Sequence, residues 1–157
     1  MRISLGHLGL ALVAVGALAG AVDARSGAKK VPAEADRVLV AVAGAFRAGD
    51  ADQVCRHMAE GRDARIHLNL KGVTSGPYTR EQATESLKTQ YFAKRKIVSV
   101  KRTDECPGCD EWAITRSYVM TYRVGEDELE GSLSIRIERK KLAKDEYGWF
   151  LTALKEG

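Results

Sequence analysis

The hydrophobic period of this chain changes near residue 95. Before that point apolar residues recur at helical spacing, and after it they alternate almost to the C-terminus. Helices followed by strands in a chain of 157 residues call for an α+β fold. Three N-terminal helices would pack on one face of a curved, mainly antiparallel sheet.

The N-terminus reads as a separate segment. Arg2 gives a basic start, Leu8 to Val22 is an uncharged run of Leu, Ala, Val and Gly, and Val22-Asp23-Ala24 offers small residues to a signal peptidase. The expected organisation is a signal peptide over 1–24, a short basic linker over 25–31 and a single domain over 32–157. No Cys lies near the cleavage site, which argues against a lipoprotein. The alternative is an uncleaved membrane anchor, since Ile3 to Val22 holds no Asp, Glu, Lys or Arg. Cleavage would remove Arg2 and Asp23 together, so the formal charge stays at +4. In an exported protein such a charge suits anionic envelope polymers or lipid head groups better than nucleic acid. It is equally the charge of a soluble surface with slightly more Lys than Glu.

Within the domain, Pro32 suits the first turn of a helix, and Ala35, Val38, Leu39, Val42 and Phe46 form its apolar stripe. Gly49 stops this helix; Asp50 with Gln53 starts a second, carrying Ala51, Val54, Cys55 and Met58 on one face. Residues 64–70 alternate, with Ala64, Ile66, Leu68 and Leu70 opposite Arg65, His67 and Asn69. Gly72 to Pro77 breaks the chain. Thr79 with Gln82 then opens a third helix that buries Ala83, Leu87 and Tyr91. Strands are expected over Ile97–Thr103, Trp112–Val124, Leu129–Arg139 and Tyr147–Leu154, with a charged loop over 138–146. Short connections favour an antiparallel meander.

This element order resembles that of the nuclear transport factor two-like superfamily. So do Ala48-Gly49-Asp50-Ala51-Asp52 between the first helices, Tyr78-Thr79-Arg80-Glu81-Gln82-Ala83 opening the third, and Gly148-Trp149 entering the last strand. Within the superfamily the chain is most similar to small exported bacterial domains of unknown function. The resemblance implies a cone whose sheet wraps a pocket against the helices. Its members include dehydratases, isomerases, dimerising partners and domains without known catalysis, so the fold assigns no function.

Cys106-Pro107-Gly108-Cys109 is the first site that could carry chemistry. Asp104, Glu105, Asp110 and Glu111 surround it and disfavour a thiolate, and Pro-Gly reads as a turn. A structural disulfide clasping this turn is the leading reading, with a thiol-redox pair as the alternative. Zinc held by these two cysteines with Cys55 and His57 is a third reading, but Cys55 lies on an apolar stripe and His57 points off it. The chain calls for no metal and no cofactor.

The interior of the expected cone offers weaker candidates. His67 lines a pocket only if the face it shares with Arg65 and Asn69 turns inward; a polar trio is the ordinary solvent face of such a strand. Arg116, Tyr118 and Tyr122 share a face with Trp112 and Met120, and would either line a pocket or pack at the edge of the core. No Asp or Glu falls within an apolar stretch, so no buried acid–base pair is visible. The clusters Lys94-Arg95-Lys96, Lys101-Arg102 and Arg139-Lys140-Lys141 fall at strand ends and loops, where solvated charge protects sheet edges. They lack the aromatic interleaving of a nucleic-acid site.

The resulting expectation is an exported, non-catalytic module that binds a small apolar or anionic ligand or a protein, with a homodimer through the sheet possible. Neither nucleic acid nor, after cleavage, a membrane is an expected partner. The rival is a cofactor-independent lyase or isomerase with His67 as base and Tyr118 or Arg116 polarising the substrate. The third is a redox protein acting through Cys106 and Cys109.

Overall fold

A computed structural model describes residues 30–157. The expected signal peptide and all but the end of the expected linker lie outside the described residues. Helix α1 (Ala33–Ala48) buries Ala35, Leu39, Val42 and Phe46, and ends at Gly49, whose φ of 69° suits a residue without Cβ. Asp50 caps α2 (Ala51–Arg56) by accepting from Gln53 N–H at 3.0 Å. Thr79 and Gln82 form the expected capping box on α3 (Arg80–Ser86). That helix does not run to Tyr91 as a plain α-helix. It continues as a π-helical segment, Leu87–Phe92, in which Ala93 N–H reaches Lys88 O. The wider turn sets Tyr91 and Phe92 beside Phe46, with ring centroids 5.4 and 5.1 Å from it.

The strands are β1 (Ile66–Asn69), β2 (Gly76–Tyr78), β3 (Lys96–Arg102), β4 (Gly108–Cys109), β5 (Ala113–Val124), β6 (Asp127–Ala143) and β7 (Glu146–Glu156). They form one sheet ordered β2-β1-β7-β6-β5-β3, with β4 also on β5. All pairings are antiparallel except β1 with β7. One face carries Ile66, Leu68, Ile114, Tyr118, Met120, Leu133, Ile135, Ile137, Leu151 and Leu154 into a single core with the helices. Among the described residues no helix is long and apolar enough to cross a membrane.

Several boundaries differ from the sequence expectation. Part of the 72–77 break is strand β2, placed at the sheet edge where Pro77 has no ladder bond to lose. The charged loop over 138–146 is mostly ribbon: β6 and β7 stay paired from Arg139–Trp149 out to Ala143–Glu146. Both faces of this ribbon meet water, so its sequence needs no apolar period. Leu129 has the parity of Leu133 but is exposed, because the far end of the β5–β6 hairpin runs beyond the helices.

Candidate functional site

The structure separates the residues that the alternation had grouped on the β5 face. Trp112 to Tyr122 spans roughly 33 Å at ~3.3 Å per residue, so these side chains cannot converge on one ligand. Trp112 lies before the first residue of β5 and is 50 % exposed. Asp110 Oδ1 accepts from the Trp112 and Ala113 N–H groups at 2.7 and 2.6 Å, in a turn that keeps Trp112 outside the sheet's alternation. The indole packs edge-on to Tyr147, with the Arg139 guanidinium over both rings.

Arg116 and Tyr118 do face inward, next to each other along β5. Tyr118 is 3 % exposed, and neither its Oη nor Arg116 Nε has a hydrogen-bond partner. Burial pushes the Tyr118 hydroxyl pKa up; Arg102 opposes this, and Asp36 adds to it. Asp36 and Arg102 themselves pair at 2.5 Å, joining α1 to β3. His67 is exposed, as are Arg65 and Asn69, on the face opposite Ile66 and Leu68. It therefore does not meet Tyr118 or Arg116.

Tyr122 belongs to a third cluster, which contains a buried acid that the sequence reading did not see. Glu156 follows Leu154 by two residues on β7, pairs with Leu133 and has a fully buried side chain. Its Oε2 accepts from Tyr91 Oη and from Lys71 N–H, each at 3.1 Å, and Lys71 Nζ lies 3.8 Å from Oε1. Burial and the Glu156 carboxylate both push the Tyr91 pKa well up. Arg95, expected among solvated charges, lays its guanidinium 4.8 Å from the Tyr91 ring centroid and 5.7 Å from that of Tyr122. Continuing the strand alternation from Leu154 to residue 156 was the available signal.

Cys106 and Cys109 are joined by a disulfide, with Cα atoms 5.7 Å apart. Gly108 and Cys109 pair with Thr115 and Ile114, so the clasp fixes the connection between β3 and β5. Cys55 is buried with Val54 and Met58, and desolvation pushes its thiol pKa up. Among the described residues no group of three or more His, Cys, Asp or Glu is arranged to hold a metal.

Among the described residues, unlike segments converge around a groove of about 820 Å³ at one end of the sheet. Its walls are the 58–64 loop after α2, Arg80 at the start of α3, and the β6–β7 ribbon. Arg56, Arg62, Arg80, Lys140 and Lys141 line it, against the two carboxylates Glu60 and Asp63. Arg80 Nη2 donates to Met58 O at 2.8 Å and Ala59 O at 3.3 Å, which holds the loop onto α3. Leu151 N–H donates to His57 O at 2.8 Å and ties the start of the loop to β7. His57 is half-buried there, and desolvation followed by the nearby Arg56 lowers its pKa. No local pattern announces this groove, because its cations lie as far apart in the chain as Arg56 and Lys141.

No protein-family profile matches the chain, and no curated protein matches it. Solved structures do. A ketosteroid isomerase-like protein from Erwinia carotovora atroseptica superposes with a TM-score of 0.58 at 12 % identity, over 79 % of this chain and 92 % of that one. A candidate dehydratase of the NTF2-like family from Streptomyces avermitilis gives 0.56 at 11 % identity, over 78 % and 91 %. A DUF4783 family protein from Bacteroides uniformis gives 0.55 at 12 % identity, over 74 % and 93 %. At these identities the likeness is one of architecture: the chain has the nuclear transport factor two-like fold, with helices packed into a curved sheet.

Proposed function

We propose that this protein is an exported, non-catalytic binding module whose ligand is a small anion held in the groove between the 58–64 loop, Arg80 and the β6–β7 ribbon. The observation that carries this reading is the convergence of Arg56, Arg62, Arg80, Lys140 and Lys141 from separate chain segments, opposed by Glu60 and Asp63. A concave site with an excess of one sign of charge, here five cations against two carboxylates, raises the local concentration of the opposite ion. The size of the groove falls in the range of small-molecule sites, roughly 300–1,000 Å³. The inward face of the sheet favours binding over catalysis, since Phe46, Tyr91, Met120 and Leu133 fill the space between sheet and helices. The apolar run Leu8–Val22 is the support for export.

Calorimetric titration with inorganic phosphate and pyrophosphate at low ionic strength tests the reading. Binding is expected, to weaken on adding salt as screening shortens to about 8 Å at physiological strength. It should fall at least tenfold in a variant carrying Arg62→Glu and Lys141→Glu. The absence of binding to either anion, or binding indifferent to both substitutions, would overturn it.

A further inference from the structure

We infer that the ligand of this groove is a single-chain anionic amphiphile, its head group on the cations and its alkyl chain along the ribbon; the inference rests on the anion-binding reading above. Lys140 pairs with Gly148 across the ribbon, and Leu142 and Phe150 each lie two residues further on along their strands. A Cβ at Gly148 would lie 2.9 Å from Phe150 Cε2, 3.0 Å from Cζ and 3.2 Å from Leu142 Cδ1. Only a residue without a side chain lets the Phe150 ring and the Leu142 methyl close over the backbone here. The result is an apolar platform continuous with the cationic wall, since Leu142 and Phe150 line the same groove as Lys140 and Lys141.

This platform is open. Leu142 is 56 % exposed, and Phe150 is half-buried. A compact inorganic anion would satisfy the cations and leave the platform wet. An alkyl chain attached to the anion would cover it, and each methylene removed from water strengthens binding about fourfold. Charge complementarity selects the head group. A cationic or neutral amphiphile of the same chain length would meet the apolar platform beside net positive charge.

The test is calorimetry on the protein with inorganic phosphate, decyl phosphate below its micellar concentration, and decyltrimethylammonium. Decyl phosphate should bind at least tenfold more tightly than phosphate, and decyltrimethylammonium should not bind. Leu142→Ser, at an exposed ribbon position, should cut the advantage of decyl phosphate over phosphate severalfold. Gly148→Ala should do the same by displacing the ring. Equal affinity for phosphate and decyl phosphate would overturn the amphiphile while leaving the anion groove standing. Binding of neither phosphate compound would remove both readings. Equal binding of decyltrimethylammonium, or capture only by phosphatidylglycerol vesicles with no affinity for monomeric decyl phosphate, would also overturn the inference.

Discussion

Replacing Glu156 by Ala tests whether the last turn of the chain belongs to the core. Terminal residues usually fray unless they are tied down, and a frayed Glu156 could be deleted at almost no cost. Here its carboxylate is buried and accepts from Tyr91 Oη and Lys71 N–H. Hydrogen bonds to a charged acceptor contribute about 1.5–3 kcal/mol each, and buried donors left unpaired cost about 1–3 kcal/mol. Met120 Sδ, 3.7 Å from Tyr91 Oη, offers that hydroxyl a weak substitute, and Lys71 is exposed enough for water to reach it. Both effects pull the estimate to the low end, about 2–4 kcal/mol for Glu156→Ala. Tyr91→Phe removes one donor and should cost about 1–2 kcal/mol. The double variant should show a coupling of about 1 kcal/mol, because the two groups share a bond. Urea unfolding measures all three through the midpoint at constant m. A loss below about 0.5 kcal/mol for Glu156→Ala, with no coupling to Tyr91→Phe, would show that Glu156 is solvated and the strand ends before it.

Other outcomes follow from single features. Reducing the Cys106–Cys109 disulfide, or replacing both residues by Ser, opens a loop of sequence separation three. The chain-entropy model gives about 2 kcal/mol for so short a loop, and a melting temperature unchanged by reductant would contradict a structural clasp. Gly49→Ala leaves space, with the nearest Phe92 carbon 3.8 Å away, but strains a φ of 69°; denaturant curves should show a loss of about 1 kcal/mol. His57 has a folded pKa below its ordinary value, so the unfolded chain takes up its proton first. Stability should therefore decline as pH falls through about 6.5, flattening once the folded-state pKa is passed. His57→Gln should remove that component, and an unchanged pH profile in the variant would contradict the assignment.

The helical half of the fold was legible because its signals are local. Gly49-Asp50 and the Thr79–Gln82 box act within a turn, and the structure uses both. The sheet face was legible for the same reason, since the alternation from Ile114 to Tyr122 tracks the buried side of β5. Alternation states which face a residue occupies but not how far the helices cover it. Leu129 shares the face of Leu133 yet is exposed on that account, whereas Trp112 leaves the alternation because of the turn at Asp110. The ribbon over 139–146 was hidden because both its faces are solvated. Glu156 was hidden because a lone charged residue at a strand end normally points to solvent. The groove was beyond reach, since only tertiary packing brings Arg56 and Arg80 to Lys140 and Lys141. The sequence had shown Arg139-Lys140-Lys141 as solvated charge, which they are, without their partners.

The proposed ligand sits in that groove and not inside the cone. An amide-resolved NMR titration with inorganic phosphate tests it most directly. Shifts are expected at Gly61, Arg62, Ala64, Arg80 and Lys141, with Tyr118, Met120 and Leu133 unmoved. Shifts confined to Tyr118, Met120 and Leu133, with the 58–64 loop and the ribbon unmoved, would contradict it.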